Sequence, residues 1–388
     1  MKVALVSRAT AGYLRALHES FAEAMGSQDK LEILWPDDVV RQASISGHLP
    51  SAPNLTIHTV SAPQGSPWIA RWLSVSRQEP VMPRLPTGAV WRQLRQSKPD
   101  LVWIHEYSPF TLEALLFAKL HALPLVVSSE MGQSNACYFG RIVRAWHRFW
   151  GHLADGFIAC CPSARQPLCA SAAPVIEAYH AVDSRIFMPA PERTSDSSVT
   201  FVYVGSLIER KGIDLLFAAA AQLRSQCTQP FRLRLIGSGE DIEIRAHAAS
   251  LGLEAVVEFT GRLQGSTLLD GIRSADVFVL PTRQDTYGAV VHEAACLGLP
   301  LLVSQHAGAA EALVIEGVTG YTINPSDAPS FADRMHQLMD PDLRIHLAAS
   351  ARTRGEELSA HRRATALWTW MQNEFLIPNK SYPSPALA

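Results

Sequence analysis

Asp285 and Glu293 stand on either side of Gly288 in the run LPTRQDTYGAVVHEAACLGLP, residues 280–300. The apolar residues ahead of them and the helical spacing behind predict a buried strand that turns into a helix near Tyr287. The first N–H groups of such a helix lack partners, and the positive end of its dipole faces the loop. Anionic oxygens are therefore favoured at that loop, and Gly288 lets a ligand come close to the backbone. A helix running on through Leu297 puts Glu293 nearly two turns in. There its carboxylate, which only accepts, can take hydrogen bonds from two adjacent hydroxyls of a ribose or hexose. Asp285, on the loop, then faces a second polyol. The chemistry served is the binding of phosphate joined to sugars.

Three more glycine-marked turns follow apolar runs. VGSLIERKG, residues 204–212, sets Gly205 and Ser206 at a strand end and Arg210 and Lys211 just before a helix beginning near Ile213. Fixed cations at a helix N-terminus can neutralise a diphosphate; a solvated charge pair in an exposed loop is the bland alternative. LIGSGED, residues 235–241, resembles the start of a dinucleotide fingerprint, but Ile242 stands where the third glycine belongs. Gly237 is thus either a structural turn or a ligand contact. After the run ending at Thr260, the backbone of Gly261, Arg262 and Leu263 either meets a base or simply ends a strand. HEAAC at 292–296 lacks the second histidine of a zinc-protease helix, and no G-x-S-x-G elbow is present. Metal-assisted and serine hydrolysis are set aside, and neither metal nor cofactor is expected.

These turns need a scaffold. Short β-branched runs alternate with amphipathic helical patterns, the mark of a parallel sheet wound with helices on both faces. Strands are predicted at 2–7, 31–35, 55–60, 101–105, 123–128, 156–160 and 175–178, with helices such as 109–121 and 140–155 between them. A polar, proline-bearing stretch at 188–198 reads as a linker. The plan restarts with strands at 200–204, 231–236, 256–260, 277–280, 300–304 and 320–323. The fold class is therefore α/β, with two doubly wound Rossmann-like domains, 1–187 and 199–359, facing across a cleft at the carboxyl ends of their strands. A last helix, 360–376, is read to pack back on the first domain, ahead of a loose tail, 377–388.

At 388 residues and 47% hydrophobic content, two full cores are affordable, and a net charge of −2 gives no general affinity for nucleic acid. The six cysteines form no paired C-x-x-C set and read as free, mostly buried thiols of a reducing compartment. The apolar start before Arg8 is too short for a signal peptide and reads as a first strand. No run approaches the roughly 18 apolar residues of a membrane span, which points to a cytoplasmic protein, peripherally attached at most.

Taken together, the v-G-x-x-x-x-x-K-G loop, the i-G-x-G turn, the carboxylate-x7-carboxylate segment, the G-x-P turn and the later G-x-x-E resemble the donor-binding domain of family 4 retaining glycosyltransferases of the GT-B architecture (glycosyl transferases group 1). The likeness is close over 201–327 and loose over the first half. It implies a nucleoside-diphosphate-sugar donor, Lys211 on the leaving diphosphate, Glu293 on the ribose, Asp285 at the donor sugar, and the backbone of Thr286, Tyr287, Gly288 and Ala289 on sugar and phosphate oxygens. It also implies metal-independent transfer with retention, the acceptor proton passing to a phosphate oxygen. Gly308 and Glu311 fall on the second loop motif, with a direct or a structural role. Two departures stand out. Ser206 replaces the usual arginine, leaving Arg210 as the candidate second cation, and Asp285 replaces the usual glutamate.

In the first half, His105 and Glu106 end a strand much as an H-E turn does in some bacterial lipid mannosyltransferases of this family. An imidazole there can hold an acceptor hydroxyl, or be a buried structural histidine. Glu130 is the third acceptor candidate, and Gly12 would let the acceptor domain approach the diphosphate. RIVRAWHRFWGH, residues 141–152, gathers three arginines, two histidines and three aromatics in one helical pattern. It reads as an interfacial helix touching the inner face of a membrane, or as a helix whose Ile142, Trp146 and Phe149 face the core. The implied partners are a nucleotide-sugar donor and a glycan or lipid-linked acceptor of cell-envelope type. A sugar-nucleotide epimerase of the same architecture and a non-catalytic nucleotide-sugar binder are the alternatives.

Overall fold

The computed structural model describes residues 1–8, 12–65, 84–130, 141–169, 172–189, 198–239 and 241–376. The chain divides into two compact units, Met1–Ala181 with Ala360–Ala388, and Val182–Ser359.

In the first unit, the strands are β1 (Lys2–Val6), β2 (Lys30–Pro36), β3 (Leu55–Val60), β4 (Leu101–His105), β5 (Leu125–Ser129), β6 (Gly156–Ala159) and β7 (Val175–Glu177). They form a parallel sheet in the order β3-β2-β1-β4-β5-β6-β7. Side chains alternate across each strand. Val3 and Leu5 join one core with Phe21 of the helix Gly12–Met25, whereas Ala4 and Val6 join the opposite one with Leu94 and Phe110. The helix Ala360–Met371 completes the first of these cores with Ala364, Leu367, Trp368 and Met371. The return of the last helix to the first sheet, expected from sequence, holds.

The second unit contains β8 (Val199–Val204), β9 (Phe231–Ile236), β10 (Val257–Gly261), β11 (Val277–Leu280), β12 (Leu301–Ser304) and β13 (Gly320–Ile323). Their order is β10-β9-β8-β11-β12-β13, again parallel. Strand order reverses between β1 and β4 and between β8 and β11, and open α/β sheets take their ligands at the carboxyl ends of strands beside such a reversal.

Residues 182–187, read from sequence as part of the first domain, group with the second unit. Arg273 holds the backbone there, donating from Nε to Met188 O at 2.7 Å and from Nη2 to Ile186 O at 3.4 Å. Most of the expected linker, 190–197, and the expected tail lie outside the described residues. No described helix is long and apolar enough to cross a membrane.

Candidate active site

Three loops meet at the β8/β11 reversal. After β8 the chain makes a short 3-10 turn, Glu209–Lys211, and leaves through Gly212 at φ 69°. A Cβ on Gly212 would lie 2.2 Å from Pro281 O, so only glycine lets this loop press onto the one that follows β11. The two loops are then stitched together. Arg210 O accepts from Arg283 N at 2.9 Å and from Thr282 Oγ1 at 3.1 Å, and Arg210 Nη1 donates to Gln284 O at 3.0 Å. Arg283 adds a two-pronged ion pair to Asp214, at 2.7 and 2.6 Å. The loop after β12 joins through Asp285 N to His306 O at 3.0 Å and Ala309 N to Tyr287 O at 2.7 Å.

Within this frame Lys211 Nζ makes an ion pair with Asp285, each side chain 15% exposed. The sequence reading gave these residues separate ligands; the structure shows that they are also each other's partner. Tyr203, which sequence reading missed, lies beneath them. Its buried hydroxyl donates to Ser206 O at 2.8 Å and is held protonated by burial and by the charge of Asp285. Ser206, in the place of the usual arginine, is exposed.

The helix after Asp285 runs from Ala289 to Cys296, with Gly288 at φ 86° as its cap. It opens later than expected because Gly288 takes the left-handed conformation and the Tyr287 carbonyl is committed to Ala309. Glu293 thus lies about one turn in rather than nearly two, an estimate from 3.6 residues per turn. Burial alone raises its carboxyl to about 7. Thr286 is half-buried and Tyr287 buried.

The G-x-G turn has a structural job. A Cβ on Gly237 would sit 1.8 Å from Gly205 O, and one on Gly239 would sit 2.1 Å from Leu207 O. Both glycines let the β9 loop lie against the β8 loop, with Leu207 N donating to Ser238 O at 2.9 Å. Gly261 takes φ 72° at the end of β10, in open space, with Arg262 exposed beside it and Leu263 half-buried. Glu311 is exposed in the helix Gly308–Leu313.

The first unit places a second polar cluster at the β1/β4 reversal. His105 is buried at the end of β4, and Glu106 follows at φ 60°, an uncommon conformation for a non-glycine residue. Thr111 Oγ1 holds it there by donating to Glu106 O at 2.8 Å, from a capping box in which Thr111 N donates to Ser108 Oγ at 3.2 Å. Glu130, after β5, lies 3.6 Å from His105 Nε2 and 2.9 Å from His180 Nε2. Burial lowers the His105 imidazole, but the hydrogen bond and charge of Glu130, aided by Glu106, more than offset it and leave it raised. Glu130 is penalised by burial, yet His180 and His105 hold it well below the usual carboxylate range.

Arg8, His147 and His180 were not picked out as members of this cluster, because they arrive from β1, the helix Arg141–Gly151 and the end of β7. Gly12 opens the helix Gly12–Met25. His147 is buried with Nε2 3.6 Å from Glu106 Oε2, so it does not belong to the expected membrane face. Phe149 is 68% exposed and does not face the core, as one sequence reading had it. Among the described residues, no group of three or more His, Cys, Asp or Glu is arranged to hold a metal ion.

Residues 198–341 match the family model described as "Glycosyl transferases group 1". A glycogen synthase of Mycobacterium tuberculosis is 27% identical over 299 residues, which cover 74% of this chain and 68% of that protein. The sulfoquinovosyl transferase SQD2 of Arabidopsis thaliana is 27% identical over 321 residues, covering 73% of this chain and 60% of its own length. Among solved structures, the Anabaena HepE protein in complex with UDP and glucose matches with a TM-score of 0.68 at 16% identity, over 96% of this chain and all of that one.

Proposed function

From the premise that this chain belongs to the group 1 glycosyltransferases and has their GT-B architecture, we propose that it moves a sugar from a nucleoside-diphosphate sugar to an acceptor hydroxyl with retention of configuration. The observation carrying this reading is the Lys211–Asp285 pair at the β8/β11 reversal, followed by Glu293 one turn into the next helix. Lys211 takes the leaving diphosphate, exchanging or sharing its partner Asp285 as the anion arrives. Among the described residues Arg210 engages Nη1 with Gln284 O, and it can serve as the second cation that Ser206 does not supply. These two side chains provide the positive charge that a divalent metal provides elsewhere. Asp285 reaches the donor sugar and Glu293 the ribose. Loops locked to one another in this way need little reorganisation when the donor binds.

Thermal unfolding of the purified chain with UDP, GDP and ADP tests the donor half. A ligand at about 100 times its Kd adds roughly 2.7 kcal/mol of stability. One diphosphate should raise the midpoint clearly, with UDP tried first because a solved relative of the same fold binds it. If none of the three does so, the reading fails. Anomeric proton spectra of the product then test retention, and product analysis separates transfer from epimerisation.

A membrane-borne acceptor is favoured by the helix Arg141–Gly151, on which Arg144, Arg148 and Phe149 are exposed. We propose that this face rests on anionic lipid at the cytoplasmic side.

A further inference from the structure

Glu130 Oε1 lies 2.9 Å from His180 Nε2 and 3.6 Å from His105 Nε2. A carboxylate only accepts, so His180 Nε2 must carry a proton to meet it, and the charge of Glu130 favours a proton on His105 Nε2, which faces it at the longer distance. For His105 the atom left to a ligand is Nδ1, because Nε2 faces Glu130. Glu130 is itself fixed, its N–H donating to Glu106 Oε1, while Ser129 Oγ reaches Glu106 Oε2 at 3.4 Å. Two carboxylates, linked through the backbone of β5, thus face three imidazoles.

The charges around His105 can be read element by element. Arg8, from the end of β1, acts on His105 and on both carboxylates. Burial keeps His147, from the helix Arg141–Gly151, below its ordinary value. Cys160 and Cys161, after β6, are thiols pushed up by burial and so neutral. Behind the site His18, on the helix Gly12–Met25, is brought down to about 3 by burial, with His105 adding to it. The carboxylates of Glu130 and Glu106 thus face Arg8 and the imidazoles of His105 and His180, and the cluster offers many polar atoms to hydroxyls.

We propose that Glu130 is a positioning residue: it grips His105 and His180 through one carboxylate oxygen, so that His105 presents Nδ1 to a hydroxyl of a polyol acceptor. His180 becomes the second imidazole of the acceptor site, a role no sequence motif marks. Glu130, one of the acceptor candidates from sequence, acts in this proposal through the histidines. The inference rests on the transfer function proposed above, yet its test needs no donor.

Imidazole nitrogen spectra of the full chain, recorded from about pH 5 to about pH 9, decide it. His105 should keep Nε2 protonated throughout and titrate at Nδ1, with its midpoint above the ordinary histidine value. In Glu130→Gln that midpoint should fall by about one unit or more, and Glu130→Asp, which keeps the charge, should restore part of it. A neutral His105 carrying its proton on Nδ1, or a midpoint that Glu130→Gln leaves in place, overturns the proposal. The wild-type tautomer alone is decisive should the variant not fold.

Glucose, mannose and myo-inositol, added separately, are the polyol probes. At least one should shift the His105 signals of the wild type and not those of Glu130→Gln. No shift from any of the three overturns the polyol assignment, whereas stabilisation of the same sample by a nucleoside diphosphate reports separately on the donor reading.

Discussion

Nucleotide binding should switch on between pH 6 and 8 because of Glu293. Its carboxyl is raised from 4.5 to about 7 by burial alone, so near neutrality about half of the unliganded molecules hold it protonated. A ribose diol donates best to the ionised form, and the protonated fraction must first lose its proton. If only the carboxylate binds, affinity falls about tenfold for each pH unit below 7 and is nearly flat above 8. Titration calorimetry with UDP at half-unit pH steps measures this, and Glu293→Gln removes the group. The nucleotide's own phosphate ionises near pH 6, so the difference between the two proteins is the quantity to read.

The same shift gives a sign for stability. The unfolded chain releases this proton at about 4.5, whereas the native chain keeps it until about 7, so stability contributed by the group declines as pH rises through that window. The decline is at most about 3 kcal/mol, reduced by solvent at the partly exposed edge of the site. Bound ribose should abolish it by favouring the ionised form. Equal pH dependence of UDP affinity in wild type and Glu293→Gln would refute the reasoning.

Lys211→Ala should lower turnover at least about a hundredfold and also cost roughly 1–3 kcal/mol by leaving Asp285 without its partner. Adding Asp285→Asn should return the stability in urea unfolding but not the activity. Gly237→Ala should cost about 3 kcal/mol or more, since its Cβ would overlap Gly205 O at 1.8 Å. Gly261→Ala, strained at φ 72° but facing open space, should cost only about 1 kcal/mol. Equal losses for the two glycines would remove the packing account of the G-x-G turn. Replacing Arg141, Arg144 and Arg148 by Ala should weaken binding to phosphatidylserine vesicles roughly a hundredfold, at about 1 kcal/mol per cation. Unchanged co-sedimentation would end the membrane reading.

Much of this architecture was legible because its signals are local. In the second unit β8, β9 and β10 announce themselves as apolar runs closed by glycine, and in the first unit β1 and β2 are runs buried on both faces. What was not legible depends on distant residues. The helix at Ala289 starts where a carbonyl of Tyr287 is claimed by Ala309, a contact between two loops that no periodicity reveals. The G-x-G turn looked like a ligand motif because the same glycines that let phosphate approach a backbone also let another backbone approach it. Glu130 and His180 meet only because β5, β6 and β7 lie in order across the sheet, and Arg8 joins them because β1 is inserted beside β4. Tyr203 looked like one more strand residue; its role comes from a hydroxyl that reaches Ser206 O.

The helix Ala360–Met371 has a bearing on how the molecule is made. As the ribosome releases the chain in order, Val3, Leu5, Phe21 and Trp103 emerge long before Leu367, Trp368 and Met371, which seal their side of the sheet. The nascent first unit must therefore wait, one apolar flank open to chaperones, while the whole of Val182–Ser359 is translated. A chain cut short before residue 360 would leave that flank of the sheet uncovered.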